Sequence, residues 1–164
     1  SFTPSIGYTF VDTRFKPRLG LDAGVASGDR DPHDKNLNTF APPFPRGQYF
    51  GAIAANGPYN IQGFRPSIRF SLPHRVIVGF GNFWFWRQSR GDGLYNVPGG
   101  LIRTGRQSRA WFIGNQPEVE ALWQMNAYSR FEISAGFFLA GRFLRETPPG
   151  KNMFHTLARY TFQF

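Results

Sequence analysis

Arginine supplies most of the chemistry that this sequence could perform. Of its 19 basic residues sixteen are arginine and three are lysine, and the formal net charge is +9. The guanidinium group is planar and binds carboxylates through two parallel hydrogen bonds, which lysine cannot do. Six arginines and four acidic residues share the polar positions of alternating segments: Arg18, Arg65, Arg69, Arg87, Arg142 and Arg159, with Asp22, Glu118, Glu120 and Glu132. If these side chains lie on one face of a β-sheet that borders a channel, they would either pass anions along the channel or pair with one another and stiffen the channel wall.

The sequence offers little for catalysis or metal binding. It has no cysteine, so thiolate nucleophiles, thiolate metal sites and disulfides are excluded. It contains no nucleophile elbow, zinc-binding histidine pair or phosphate-binding loop. Asp29, Asp31 and Asp34 have a spacing that could suit calcium, but the stretch lacks the glycine and the distal glutamate of an EF-hand, which favours a solvated acidic loop. We therefore predict that the protein is not an enzyme and holds no cofactor.

Apolar residues recur at every second position in segment after segment, which predicts β-strands. In one segment Phe64 and Phe70 alternate with Arg69 and its polar neighbours. The period runs through seven segments: 5–10, 16–27, 64–72, 75–87, 117–125, 131–142 and 153–164. No stretch approaches the ~20 apolar residues of a transmembrane helix. We predict an all-β antiparallel protein in which residues 1–164 form a single region.

Short and long connections alternate strictly between these segments. Short turns are predicted near 11–15, at 72–75 and at 126–129, and long loops at about 28–59, 90–110 and 147–152. In an up-and-down sheet, this order puts every short turn at one end and every long loop at the other, as in outer-membrane β-barrels. Several segments also reach the ~9–11 residues that a membrane-crossing strand needs, whereas strands of soluble sheets average ~5–6.

The run FWFWR at 83–87 fits a strand that meets lipid. Alternation puts Trp84 and Trp86 on one face at the loop end, where barrels carry an aromatic girdle, and turns Arg87 to the other face. The predicted girdle comprises Trp84, Trp86, Trp123, Tyr160, Phe162 and Phe164. A buried strand of a soluble sandwich is the alternative. The final Phe164 also resembles the C-terminal signature that barrel-assembly machinery reads.

Three separated stretches resemble one family. They are LGLDAGVASGDRDPHDKNLNTFAPPFPRGQYFG at 19–51, FWFWRQSRGDGLY at 83–95 and GRFLRETPPGKN at 141–152. In this order they are similar to motifs of the alginate export family of bacterial outer-membrane barrels, over roughly residues 5–164. The resemblance implies a single-chain barrel of about 18 strands.

Seven strands do not complete such a barrel. Single-chain bacterial barrels have an even number of strands, and an open edge leaves backbone groups unpaired in lipid. We therefore expect this chain to be the C-terminal part of a larger barrel. The alternatives are that another chain supplies the remaining strands or that an eighth strand lies at 47–54. An eight-stranded barrel would be too narrow for a polymer, because side chains fill its interior.

The sequence as a whole predicts a channel in the bacterial outer membrane that passes anionic solutes, such as alginate, through an arginine-lined lumen. Its expected partners are membrane lipid, the anionic solute, the assembly machinery and other envelope proteins. One alternative is a structural component of a multi-chain assembly that transports nothing. Another is a soluble basic β-protein that binds nucleic acid, suggested by an isoelectric point near 10.6. Because the basic residues are spread over many strands and form no run, we predict no nucleic-acid partner.

Overall fold

The computed structural model describes residues 1–31, 34–44 and 56–164. Seven long strands, a short two-stranded ribbon, one α-helix and two 3-10 turns at Pro73–Arg75 and Gly105–Gln107 make up its regular structure. In chain order these are β1 (Ser5–Thr9), β2 (Arg18–Ala26), β3 (Ile61–Leu72), β4 (Val76–Arg87), the ribbon β5 (Leu94–Tyr95) and β6 (Leu101–Arg103), β7 (Phe112–Gln124), β8 (Ser129–Ala140), α1 (Arg142–Glu146) and β9 (Met153–Phe162).

The long strands form one antiparallel up-and-down sheet in the order β1-β2-β3-β4-β7-β8-β9. The connections 10–17, 73–75 and 125–128 lie at one end, which we call the turn end. The strand ends at Ala26, Ile61, Arg87, Phe112, Ala140 and Met153 lie at the other end, the loop end, where the longer connections start and finish. This confirms the predicted fold class. The proposed eighth strand at 47–54 lies outside the described residues. Within the described residues no helix is long and apolar enough to cross a bilayer.

Several strand boundaries differ from the prediction by a few residues, and two of these differences have a clear structural cause. Strand β7 begins at Phe112, five residues before the predicted 117, because a bulge interrupts the two-residue period: Trp86 pairs with Phe112 whereas Phe85 pairs with Gly114, so Ile113 has no partner opposite it. Strand β8 ends at Ala140 instead of continuing to 142, and the chain then turns into α1.

The outward face of the sheet is apolar and exposed. Cross-strand pairs continue one row of apolar residues over six strands: Tyr8, Leu19, Ile68, Phe80, Val119 and Ala135. Branched and aromatic side chains suit strands because they pack on the pleated surface. Several of them remain largely exposed all the same; Phe80, for example, is 55% exposed. A continuous exposed apolar face of this kind marks contact with a membrane or another apolar partner.

The opposite face, which we call the inner face, is covered at its loop end. Residues 88–111 together with α1, which we call the cap, fold back over the sheet there. The buried cluster between cap and sheet consists of Ala26, Ile61, Phe83, Phe85, Leu94, Ile113, Phe138 and Phe143. Phe83 and Phe85 stack with ring centroids 4.5 Å apart, and Phe143 is fully buried. The turn-end half of the inner face stays open.

Replacing Phe138 by alanine should lower the free energy of unfolding by about 3–5 kcal/mol, because a large cavity opens under the cap. Phe138 is 1% exposed, whereas its neighbour Phe137 is 50% exposed on the outward face. Phe137→Ala is therefore the matched control. Thermal unfolding in detergent, followed by heat-modifiable gel migration, measures both variants. Equal losses would contradict the assignment of the two faces.

Candidate functional site: the inner face of the sheet

Arg87, the last residue of β4, lies at the centre of the cap. Its side chain is fully buried, and all five of its N–H donors are used. The acceptors are main-chain carbonyl oxygens: Ala110 (3.1 Å from Nε and 2.6 Å from Nη2), Ser108 (2.8 Å from Nη2), and Arg90 and Asp92 (3.1 and 2.9 Å from Nη1). The guanidinium also lies over the ring of Phe143, 4.0 Å from its centroid.

These contacts correct the prediction that Arg87 lines an anion pathway. Alternation turned its side chain to the inner face, as expected, but at the loop end that face lies under the cap. A guanidinium that is buried and saturated with carbonyl acceptors has no donor left for a solute. Arg87 therefore holds the cap on the sheet.

A second network joins the cap to the loops that precede it. The carboxylate of Asp92 accepts hydrogen bonds from the Asp29 amide (2.9 Å), the Thr39 hydroxyl (2.6 Å), the Gly93 amide (2.6 Å) and the Tyr95 hydroxyl (2.6 Å). Asn60, also buried, donates to the carbonyls of Ser89 (3.0 Å) and Gly93 (2.8 Å). Each polar group in this network has its partner, which is the condition for burying it without a large cost.

Tyr95 titrates unusually because of the same network. Burial, and then the hydrogen bond to Asp92, raise the pKa of Tyr95 from 10.0 to about 12. The phenol therefore keeps its proton, and its hydrogen bond to Asp92, well into the alkaline range.

Arg142 also belongs to the cap. The prediction placed it on the inner face of a strand, but β8 ends before it and Arg142 begins α1. Its Nε lies 2.5 Å from Oε1 of Glu146, one helical turn later. The Ser108 hydroxyl, which donates to Glu146 over 2.5 Å, and then Arg142 hold the pKa of Glu146 below its usual value. Arg142 thus stabilises α1 and does not line the open inner face.

The open half of the inner face carries paired charges. Arg69 Nε lies 2.9 Å from Oε1 of Glu120, two strands away. Glu132 binds two arginines, Arg159 at 3.3 Å and Arg130 at 2.6 Å. All of these groups except Arg130 border a cleft of about 430 Å³. Its polar lining consists of Asp22, Arg65, Arg69, Glu118, Glu120, Glu132, Ser134 and Arg159. Arg69 and Arg159 therefore pair with carboxylates of other strands, which is the second of the two arrangements that the sequence allowed.

The remaining predicted wall residues bind uncharged neighbours or line the cleft. Arg18 donates from Nη1 to the Thr9 hydroxyl over 3.0 Å, and Asp22 accepts from Ser5 Oγ at 2.6 Å. Glu118 is 5% exposed and accepts from Gln116 Nε2 at 3.0 Å. Arg65 faces Asp22 on the adjacent strand, with no hydrogen bond or ion pair to any residue in the described ranges.

Glycines on the inner face make room for these long side chains. A Cβ atom on Gly79 would lie 2.7 Å from Oε1 of Glu120 and 3.2 Å from Cγ of Arg69. One on Gly81 would lie 2.7 Å from Nε of Arg65. The charged side chains therefore lie flat across the neighbouring strand instead of standing upright. We call these glycines the seats of the wall residues. Gly79 and Gly81 occupy successive inner-face positions of β4, and Gly79 pairs with Arg69 on one side and Glu120 on the other.

The charge of the wall is nearly balanced. Without Arg87 and Arg142, and with Arg130, which the sequence analysis missed, the open inner face carries five arginines: Arg18, Arg65, Arg69, Arg130 and Arg159. Four carboxylates oppose them: Asp22, Glu118, Glu120 and Glu132. The surplus of positive charge that the sequence suggested is therefore smaller on this face.

The acidic loop does not gather its three aspartates. Asp29 is buried and accepts from the Asp31 amide at 3.4 Å. The Asp34 carboxylate instead accepts from the Asn36 amide at 2.8 Å, and the Asp34 amide donates to the Asp31 carbonyl over 3.2 Å. Within residues 1–31, 34–44 and 56–164, no three histidine or acidic side chains come together as a metal site would require. The calcium candidate gains no support from this geometry.

The outward aromatics occupy both ends of the sheet. At the loop end Phe64 stacks with Trp84 and Trp86, with centroids 5.3 and 5.6 Å away. At the turn end, cross-strand pairs align Trp123, Phe131 and Tyr160. The predicted Phe162 and Phe164 follow on the same side of the chain and are exposed. Two aromatic bands that flank an apolar face are the pattern of a strand wall in a bilayer.

An up-and-down antiparallel sheet, apolar outside and charged inside, is consistent with part of an outer-membrane β-barrel. A family model described as alginate export matches residues 2–156. The chain belongs to the alginate export family, which is a family of outer-membrane transport proteins and not of enzymes. No curated protein and no solved structure matches the chain.

Replacing Arg87 by lysine should loosen the cap. Lysine keeps the charge but has three donors where arginine has five, and each carbonyl or charge left unsatisfied in a buried place costs about 1–3 kcal/mol. Limited proteolysis should then cleave within 88–111, and the thermal unfolding temperature in detergent should fall. Arg145→Lys, an exposed position of α1, is the control and should change neither. An unchanged cleavage pattern for Arg87→Lys would count against the role of Arg87.

Alkaline pH should weaken the folded protein through Tyr95. Because the folded pKa of about 12 exceeds the ordinary value of 10.0, the unfolded chain loses this proton first. The stability that the neutral phenol contributes is complete below pH 10 and is lost as the pH rises through 12. Urea unfolding in detergent at pH 9 to 12 should show a flatter pH dependence for Tyr95→Phe. The exposed Tyr128→Phe should retain the original slope; a flattening in both variants would refute the assignment.

Proposed function

We propose that this chain forms part of the wall of an outer-membrane conduit that passes an acidic polysaccharide such as alginate. The observation that carries the proposal is the set of exposed arginine–carboxylate pairs on the open inner face, bordering the cleft. Family membership and the apolar outward face supply the context.

The pairs are weak enough to exchange. The side chains of Arg69 and Glu120 are 47% and 32% exposed, and those of Arg159 and Glu132 are 43% and 24% exposed. Solvent-exposed ion pairs contribute only about 0–1 kcal/mol, because water and salt screen them. A carboxylate on a passing sugar chain can therefore replace Glu120 at Arg69 and then leave again. Conduction needs this combination of binding and release.

The proposed selectivity for anions depends more on which arginines are accessible than on the net charge of the inner face. Arg65 borders the cleft and forms no ion pair with the described residues, so its guanidinium is available to a solute. Its position above the seat Gly81 keeps it along the wall. An anion that moves along the described part of the wall thus meets Arg65, and then Arg69 and Arg159, which can exchange partners.

Substitutions on the two sides of a pair should have opposite effects. In planar bilayers, block of the current by uronate oligomers should weaken by up to about fivefold for Arg69→Gln, since a solvent-exposed pair contributes up to about 1 kcal/mol. Block should strengthen by a similar factor for Glu120→Gln, because the competing carboxylate is gone. Arg75→Gln, at the turn end and away from the cleft, is the control. Shifts in the same direction for both variants would reject the exchange of ion pairs.

A structural role without transport is the second candidate, favoured by the cap that fills the loop-end half of the inner face. Under it, the protein would insert into bilayers and show heat-modifiable migration but give no current in any variant. A soluble nucleic-acid-binding protein fits poorly, because it would expose the apolar outward face to water. If the purified protein stayed folded and monodisperse without detergent, the nucleic-acid-binding hypothesis would be supported instead.

A further inference from the structure

The loop-end rim between β4 and β7 carries a continuous aromatic surface that faces outward. The indole of Trp86 contacts the rings of Trp111 and Phe112, with centroids 6.0 and 5.6 Å away. Trp111 was not part of the predicted girdle, and it is 41% exposed. Indole rings prefer the headgroup level of a bilayer, where one side is apolar and the other is wet. The rim therefore lies where lipid headgroups would be if the outward face meets a membrane.

Two exposed arginines stand at this rim. The guanidinium carbon of Arg90 lies 5.8 Å from the centroid of the Trp111 ring. Arg109 precedes Trp111 by two residues and is exposed. Neither arginine forms an ion pair with any residue of the described ranges. One cation over the Trp111 ring, and a second two residues before Trp111 in the chain, constitute a candidate anion site that nothing in the transport proposal uses.

The site is held in place by the interactions of Arg87. The Trp111 indole nitrogen donates to the Arg87 carbonyl, and the Arg87 amide donates to the Trp111 carbonyl over 3.0 Å. The Arg87 guanidinium binds the carbonyl of Arg90 over 3.1 Å. Main chain on both sides of the rim is thus fixed before a ligand arrives, which lowers the entropy lost on binding.

Two acidic residues of the loops near Arg90, Asp29 and Asp92, are turned inward. Asp92 is 7% exposed and Asp29 is 8% exposed, and the carboxylate of Asp92 is already bound by four donors. Their carboxylates are therefore not presented at the surface beside Arg90. Glu146 is exposed and accepts from the hydroxyl of Ser108, the chain neighbour of Arg109, but its carboxylate is already bound by Ser108 and Arg142. Beside Arg90 the exposed charge is positive.

We propose that Arg90, Arg109 and the ring of Trp111 bind the phosphate of a lipid headgroup in the leaflet at the loop end. A guanidinium matches phosphate oxygens with two parallel hydrogen bonds, and the indole ring packs against the glycerol or sugar of the headgroup. The inference depends on the membrane location in the proposed function, but not on the solute.

The test uses brominated lipids, which quench the fluorescence of tryptophans that they contact. The intact protein with Trp123→Phe retains Trp84, Trp86 and Trp111, all at the loop end. It is reconstituted into phosphatidylcholine vesicles in which a fixed fraction of the lipid is brominated, as either phosphatidic acid or phosphatidylcholine. Brominated phosphatidic acid should quench as if enriched about fivefold at the site, the preference that one basic residue near a membrane surface provides.

Arg90→Gln combined with Arg109→Gln should abolish the enrichment without altering quenching by brominated phosphatidylcholine. Arg75→Gln, a basic residue at the turn end that contacts no aromatic ring in the described part of the chain, should leave the enrichment intact. Equal quenching by the two brominated lipids would overturn the headgroup site and leave the conduit untouched. If neither brominated lipid quenched the tryptophan fluorescence, the membrane location itself would be wrong.

Discussion

The buried guanidinium of Arg87 determines how the loop end of this protein is built. A charge removed from water is tolerated only when every donor finds an acceptor, and here five hydrogen bonds go to main-chain carbonyls on both sides of the cap segment. Since the acceptors are backbone atoms, the arginine specifies the path of the chain and not the identity of its side chains. The last residue of a membrane-type strand thereby decides where the following two dozen residues lie.

Other features of the loop end follow from that constraint. The segment that passes beneath Arg87 brings Asp92 to the loop of Asp29 and carries Tyr95 into the short ribbon. Phe143 reaches the guanidinium from the other side, which joins α1 to the same centre. The cap is therefore a small folded unit with polar and apolar layers of its own, and its contact with the sheet is the phenylalanine cluster around Phe85 and Phe138.

Sequence periodicity predicted the strands well because each outward residue sees the same apolar surroundings along the whole wall. The prediction was wrong where a local irregularity shifts or ends the alternation of inward and outward residues. The bulge at Ile113 hid the first part of β7, and the chain left the sheet at Gly141, where a Cβ atom would collide with the main chain of Ile113. Periodicity also placed Arg87 on the correct face of the sheet. It could not show that the cap covers that face, because the sequence of a loop has no regular alternation. Arg130 and Trp111 were missed for a related reason: each lies at a strand boundary, where alternation is too short to read.

The glycine seats bear on the width of the passage that this wall would border. An arginine that stands upright on a strand reaches far from the sheet, whereas one that lies over Gly79 or Gly81 adds little more than the thickness of its guanidinium plane. The bore of such a conduit is then set in part by residues that have no side chain at all. A single methyl group at Gly79 or Gly81 would tilt the neighbouring charged side chain away from the sheet, which would narrow such a passage while leaving every charged residue unchanged.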